Sequence, residues 1–262
     1  MGFAKQPNVA GRFYPGQQSV LKQTVAELLG DAPTVDIEQP KAIIVPHAGY
    51  VYSGSVAATA YKPFLKFKHN IRNIILVGPA HFVTFFGIAT TFADSFITPL
   101  GAVEVNHELV KSALECDPVL ELDQAFQQEH CLEVQLPFIS ELFPNAKITP
   151  LLVGNAKYSD VATLLKKLWG DKDTLIIISS DLSHYHDYKT ANKLDQATSD
   201  AIESIQPDKM EPHSACGKIP IQGLLQCAKE FGLKVNKLDL RNSGDTAGDK
   251  SRVVGYGAYY LC

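Results

Sequence analysis

Several short runs are apolar at consecutive positions rather than at alternate ones: KAIIVP (41–46), NIILVGP (73–79), ITPLLV (148–153) and TLIIISS (174–180). Strands covered on both faces read this way. Between them, SGSVAATAYKPF (53–64), HELVKSALEC (107–116), DVATLLKKLWG (160–170) and CGKIPIQGLLQCAKEFG (216–232) carry helical spacing. Gly170 and Gly232 stand where helices stop. EHCLEVQLPFISEL (129–142) reads as a further helix, kinked or broken at Pro137. A polar helix is predicted over about 189–205, strands within 84–105 and over 233–240 and 252–261, and a loop over 28–40. Strands alternating with helices predict an α/β fold. The expectation is a single-domain sandwich over residues 1–262, with a mainly parallel central sheet flanked by helices.

Charge narrows the partners. The net charge of -4 is spread along the chain without a basic tract, so neither nucleic acid nor an anionic membrane is expected. No apolar stretch reaches spanning length. Met1-Gly2 could open a myristoylation signal, but Gln6 stands where Ser or Thr is required. The five cysteines are odd in number and form no C-x-x-C pair. That argues against a disulfide framework or a structural zinc site, and points to a cytoplasmic protein.

Three of the apolar runs end in the same kind of chemistry. IIVP leads to His47, IILVGPA to His81, and LIIISS to Asp181 and His184. Ligands of parallel α/β sheets bind beyond the carboxyl ends of the strands, and neighbouring tips lie close enough to share a site. Two imidazoles and a carboxylate with open positions suit non-haem Fe(II), and zinc on similar ligands suits hydrolysis. His47, His81 and Asp181 are the expected metal ligands. His184 follows Asp181 by three residues, so one helical turn would put both on one face, with His184 as ligand or general base. Asp181 alone also reads as a helix N-cap. His186 is expected to be peripheral, and His69, His107 and His213 structural or exposed.

A second group crowds EHCLEVQLPF. Glu129, His130, Glu133 and Gln135 read as substrate contacts or as support for the ligands, or else as an acidic helix start. On the first reading His130 binds substrate and Glu133 acts with His184 in catalysis. In HAGYVYSG (47–54), Tyr50 and Tyr52 either line a pocket or pack the core. NSGDTAGDK (242–250) either wraps the site or is a plain turn, and it has no phosphate-loop pattern.

Taken in order, VAGRFYP (9–15), PHAGYVYSG (46–54), GPAHF (78–82), EHCLEVQLPF (129–138), SSDLSHY (179–185), ACGKIPI (215–221) and NSGD…VVGYGA (242–258) resemble the Memo family, protein B of the AmmeMemoRadiSam system. The resemblance runs from about residue 8 to the end. It implies a fold like that of LigB-type class III extradiol dioxygenases, and a metal cleft with His47, His81, Asp181 and His184. Phe13 falls where animal relatives carry a Trp lining that cleft. Thr246 falls nearest to a Cys that animal relatives bring from the last loop. The lack of that Cys speaks against a thiolate ligand, and so for Fe(II) or Zn over Cu. The reading implied is a metal-dependent, dioxygenase-like oxidoreductase of unassigned substrate. Its rivals are a metal- or peptide-binding module acting with radical-SAM and AMMECR-like partners, and a zinc hydrolase.

Overall fold

The apolar runs become the middle of one large sheet. The structure, a computed structural model, describes residues 3–262, so the Met1-Gly2 pair lies outside it. In chain order the elements are β1 (Ala4–Lys5), α1 (Gln18–Asp31), β2 (Ala42–Val45), α2 (Tyr50–Tyr61), β3 (Asn73–Pro79), β4 (Ile88–Thr90), β5 (Ser95–Thr98) and β6 (Gly101–Glu104). There follow α3 (His107–Leu114), β7 (Val119–Glu121), α4 (Asp123–Phe126), α5 (Leu136–Leu142), β8 (Lys147–Val153), α6 (Tyr158–Lys167) and β9 (Thr174–Ser179). The chain closes with β10 (His184–His186), α7 (Tyr188–Glu203), α8 (Lys218–Phe231), β11 (Val235–Asn242), α9 (Ser243–Thr246) and β12 (Val253–Leu261).

The large sheet runs β10-β12-β2-β9-β3-β8-β4-β7, with β11 paired along β12. Its centre is parallel: Ile44 of β2 faces Ile178 of β9, and Val77 of β3 faces the same Ile178 from the other side. β12 joins β2 antiparallel, and β4 joins β8 antiparallel. β1, β5 and β6 form a separate small sheet.

Alternate residues of a strand point to opposite faces. Ile43 and Val45 therefore enter one core with Leu21, Val56 and Phe138, while Ala42 and Ile44 enter another with Val161, Leu165 and Leu224. Burying each such Leu or Ile contributes roughly 1.5–3 kcal/mol, which is why the central strands need no polar alternation. Among the described residues, no helix is long and apolar enough to cross a membrane.

Four elements depart from the expected pattern. Helix α1 lies outside the expected elements and runs on into the start of the expected 28–40 loop, with Leu21, Val25 and Leu29 recurring every fourth residue and buried. Helix α2 starts at Tyr50 and turns into a 3₁₀ segment at Lys62–Lys66, because Pro63 lacks the N–H an α-helix needs. Residues 129–142 do not form one helix: a 3₁₀ turn spans Glu133–Gln135, and Pro137 sits in the first turn of α5 instead of kinking it. The Glu129 carboxylate accepts the N–H groups of His130 and Cys131, a local alternative to helical bonding. Lastly, Asp181 caps no helix. Asp187 does so for α7, accepting from Lys189 and Thr190, and His184 lies on strand β10 instead of one helical turn beyond Asp181.

Candidate metal centre

Strands β2, β9 and β3 lie side by side, and each delivers a side chain two residues past its end: His47, Asp181 and His81. The His47 and His81 rings are 5.3 Å apart between centroids, and His130 adds a third ring 5.7 Å from His47 and 5.1 Å from His81. Asp181 Oδ1 accepts the His47 backbone N–H at 2.8 Å, and its Oδ2 lies 4.0 Å from His47 Nε2. Cys216 comes from the segment before α8; its Sγ lies 3.3 Å from His47 Nε2 and accepts the Asp181 N–H at 3.3 Å.

The two outer histidines are held through Nδ1. His81 Nδ1 meets Glu129 Oε1 at 2.9 Å, while Glu129 Oε2 accepts the His81 backbone N–H at 2.6 Å. His47 Nδ1 meets Ser179 Oγ at 3.0 Å. Burial works to raise the Glu129 carboxyl, but bonds from His81 and from the backbone outweigh it and hold the group down at about 2. Burial, with the His81 imidazole nearby, pushes His47 down to about 3. Burial and the His47 ring push His130 down to about 4. Both imidazoles are thus neutral at pH 7. Burial raises the Asp181 carboxyl, against the pull of the His47 N–H and the surrounding imidazoles. Burial, then the Asp181 charge, pushes the Cys216 thiol up to about 12.

His47, His81, His130 and Asp181 line a cleft of about 590 Å³ whose wall also includes Phe13, Tyr52, His184, Arg252 and Tyr256, while Cys216 lines a second pocket with Pro79 and Ala80. Phe13 packs edge-on against His130 at 5.0 Å. His186 is exposed outside it. Three expected residues are elsewhere. Glu133 is not at the cleft: without a helix to align it with His130, its carboxylate accepts from Asn8 N–H (2.6 Å), Val9 N–H (2.8 Å) and Tyr14 O–H (2.8 Å). Tyr50 turns into the core and donates to Val134 O at 2.9 Å, because helical residues two apart point about 200° apart and Tyr52 takes the cleft side. Thr246 donates to Ser243 O within its own loop, and Ser243, Gly248 and Asp249 face the cleft instead.

A family model described as Memo-like protein matches residues 5–260. The chain belongs to the Memo family. A MEMO1 family protein of Aquifex aeolicus is 35% identical over 263 residues, covering 96% of this chain and 97% of that one. One from Nitrosopumilus maritimus is 32% identical over 271 residues, covering 97% and 98%. An uncharacterized protein of Escherichia coli K12, 11% identical, superposes with a TM-score of 0.56 over 84% of this chain and 99% of that one, which shows the α/β fold alone.

For this Memo-family chain, the missing loop cysteine does not mean a missing thiol. His47, His81 and Cys216 each offer one ligand atom, all within 4.8 Å of one another, a spacing one ion can bridge. Nothing in ACGKIPI marks Cys216 as facing a strand tip; only the fold brings it there. A second triplet, His81, Glu129 and His130, has the same spacing. His81 Nδ1 lies 2.9 Å from Glu129 Oε1, a hydrogen-bond separation, while His130 Nδ1 stands off at 3.5 Å, so Glu129 reads as a support beneath His81. The donor chemistry of the first group fits a transition ion: imidazoles anchored at Nδ1, a soft sulfur and an adjacent carboxylate.

Proposed function

We propose that this Memo-family protein is a metal-dependent oxidoreductase, with Fe(II) held by His47 and His81 and completed from the side of Cys216 and Asp181. The observation that carries the reading is the meeting of two imidazoles held through Nδ1, a thiol and a carboxylate beside a cleft of about 590 Å³. When bound, Fe(II) supplies a redox-active Lewis acid with positions open to substrate or O₂. The chain's own groups do the rest. Phe13, Tyr52 and Tyr256 shield the inner cleft from water, and His184, half-buried in the wall, takes or gives a proton to the bound molecule.

The test is metal analysis of protein purified without air, for the wild type, His47→Ala and His81→Ala. Near-stoichiometric iron in the wild type, lost in both variants with circular dichroism unchanged, supports the reading. Iron retained by both variants overturns it. The Cys216 thiol favours a second reading, a zinc enzyme, since sulfur and imidazole ligands together suit zinc. Tight zinc, no iron and no oxygen uptake would decide for that reading.

A further inference from the structure

We infer that Ser179, held by Gln135 and the Cys131 carbonyl, is a positioning residue that locks His47 in the tautomer with its proton on Nδ1 and its lone pair on Nε2. The inference rests on the metal site proposed above and assigns the part that site leaves open: how an imidazole with no carboxylate behind it is kept ready to ligate.

The protons of a fully buried hydrogen-bonded chain, Tyr61, Gln135, Ser179 and His47, can be assigned one by one. Gln135 Nε2 lies 2.8 Å from Pro46 O, which can only accept, so that end of the amide is the NH₂. Tyr61 O–H donates to the other end, Oε1, at 3.0 Å, a partner this orientation can accept from. The second Gln135 N–H donates to Ser179 Oγ at 2.9 Å. Ser179 Oγ lies 2.6 Å from Cys131 O, and two oxygens that close must share a hydrogen, which only the serine hydroxyl can supply. The hydroxyl's one proton is therefore spent. Its remaining lone pair faces His47 Nδ1 at 3.0 Å, and that contact holds together only if the imidazole donates. Nε2 is then bare, and it is the atom facing Cys216 Sγ at 3.3 Å and Asp181 Oδ2 at 4.0 Å.

Nothing in this chain can rotate freely. Gln135 and Ser179 are wholly buried, and the Tyr61 ring is stacked on Phe138 at 4.8 Å and 5°. His81 obtains the same tautomer from the Glu129 carboxylate. The two ligating imidazoles are thus prepared in the same way by one charged and one neutral partner.

The test reads the tautomer directly in the metal-free full chain, by long-range ¹H–¹⁵N correlation of the imidazole rings near pH 7.5. The His47 signals are assigned by their loss in His47→Gln. Co²⁺ titration, followed by its d–d absorption, then gives affinity. The wild type is expected to show protonated Nδ1 and bare Nε2 at His47. Ser179→Ala should show both tautomers and bind Co²⁺ about 10–100-fold more weakly. Ser179→Thr, which keeps the hydroxyl, should restore both. A wild-type His47 protonated at Nε2 overturns the inference, as does a Ser179→Ala protein with unchanged tautomer and affinity. If Ser179→Ala does not fold, the wild-type spectrum and Ser179→Thr still decide. If the wild type takes up no metal, the metal reading fails while the tautomer is still read from the apo spectrum.

Discussion

His81 leans on a carboxylate, Glu129 at 2.9 Å, whereas His47 leans on a hydroxyl, Ser179 at 3.0 Å. The charged partner also accepts three backbone N–H groups, from His81, His130 and Cys131, so it fixes the turn as well as the ring. Glu129→Gln keeps an acceptor for Nδ1 but removes the charge. We expect metal affinity to fall about 10–100-fold, measured by Co²⁺ titration, with the far-ultraviolet circular dichroism retained. At this scale the sequence shows His47, His81 and Asp181 clearly, because each ends an unmistakable buried strand. It hides Cys216, which reaches the site by tertiary contact alone. It also misplaces Glu133 and Tyr50, whose directions depend on where a helix begins, and a boundary error of a few residues reverses them.

Helix α7 and strand β12 are matched through one glycine. A Cβ at Gly255 would fall 2.0 Å from Asp195 Oδ2, so Gly255→Ala must displace the buried Asp195 carboxylate or push α7 off the sheet. We expect a loss of about 1–3 kcal/mol in urea unfolding. Asp195 is itself buried, accepting the Ser183 N–H at 2.9 Å, and burial raises its carboxyl above the ordinary value. The folded chain then binds that proton more tightly than the unfolded chain. Its contribution to stability is whole below the ordinary Asp range and is lost as pH rises through the raised folded value. Asp195→Asn removes this loss, so its stability relative to the wild type should increase between about pH 4 and about pH 7 in urea melts at both. Central strands and most helices of this fold are legible because their periods are clean. Segment 129–142 is not, because a glutamate that bonds its own turn and a proline that starts a helix look, in sequence, like one interrupted helix.

Over the whole molecule, folding separates from the ion binding proposed above. Both cores close around the sheet without any help from the site, so chelation should leave the circular dichroism unchanged. Added metal should stabilise by mass action, by about 2.7 kcal/mol at a hundredfold excess over Kd, seen as a raised unfolding temperature. The N-terminal segment is tied down by the Glu133 carboxylate as well as by the core, which takes in Val9 and Tyr14. Glu133→Ala leaves the N–H groups of Asn8 and Val9 and the Tyr14 hydroxyl without their acceptor and frees the segment that carries Phe13 to the cleft. Limited proteolysis should then cut within the first fifteen or so residues well before the wild type is touched.

Strand β9 separates β2 from β3 in the sheet but follows both in the chain, and Asp181 is 134 residues downstream of the backbone it braces at His47. On a ribosome, both imidazoles emerge while their spacer is still untranslated, and the sulfur emerges later still. A cation met during synthesis therefore finds no finished cage. On the proposed metal reading, loading waits until Cys216, just ahead of α8, has been made.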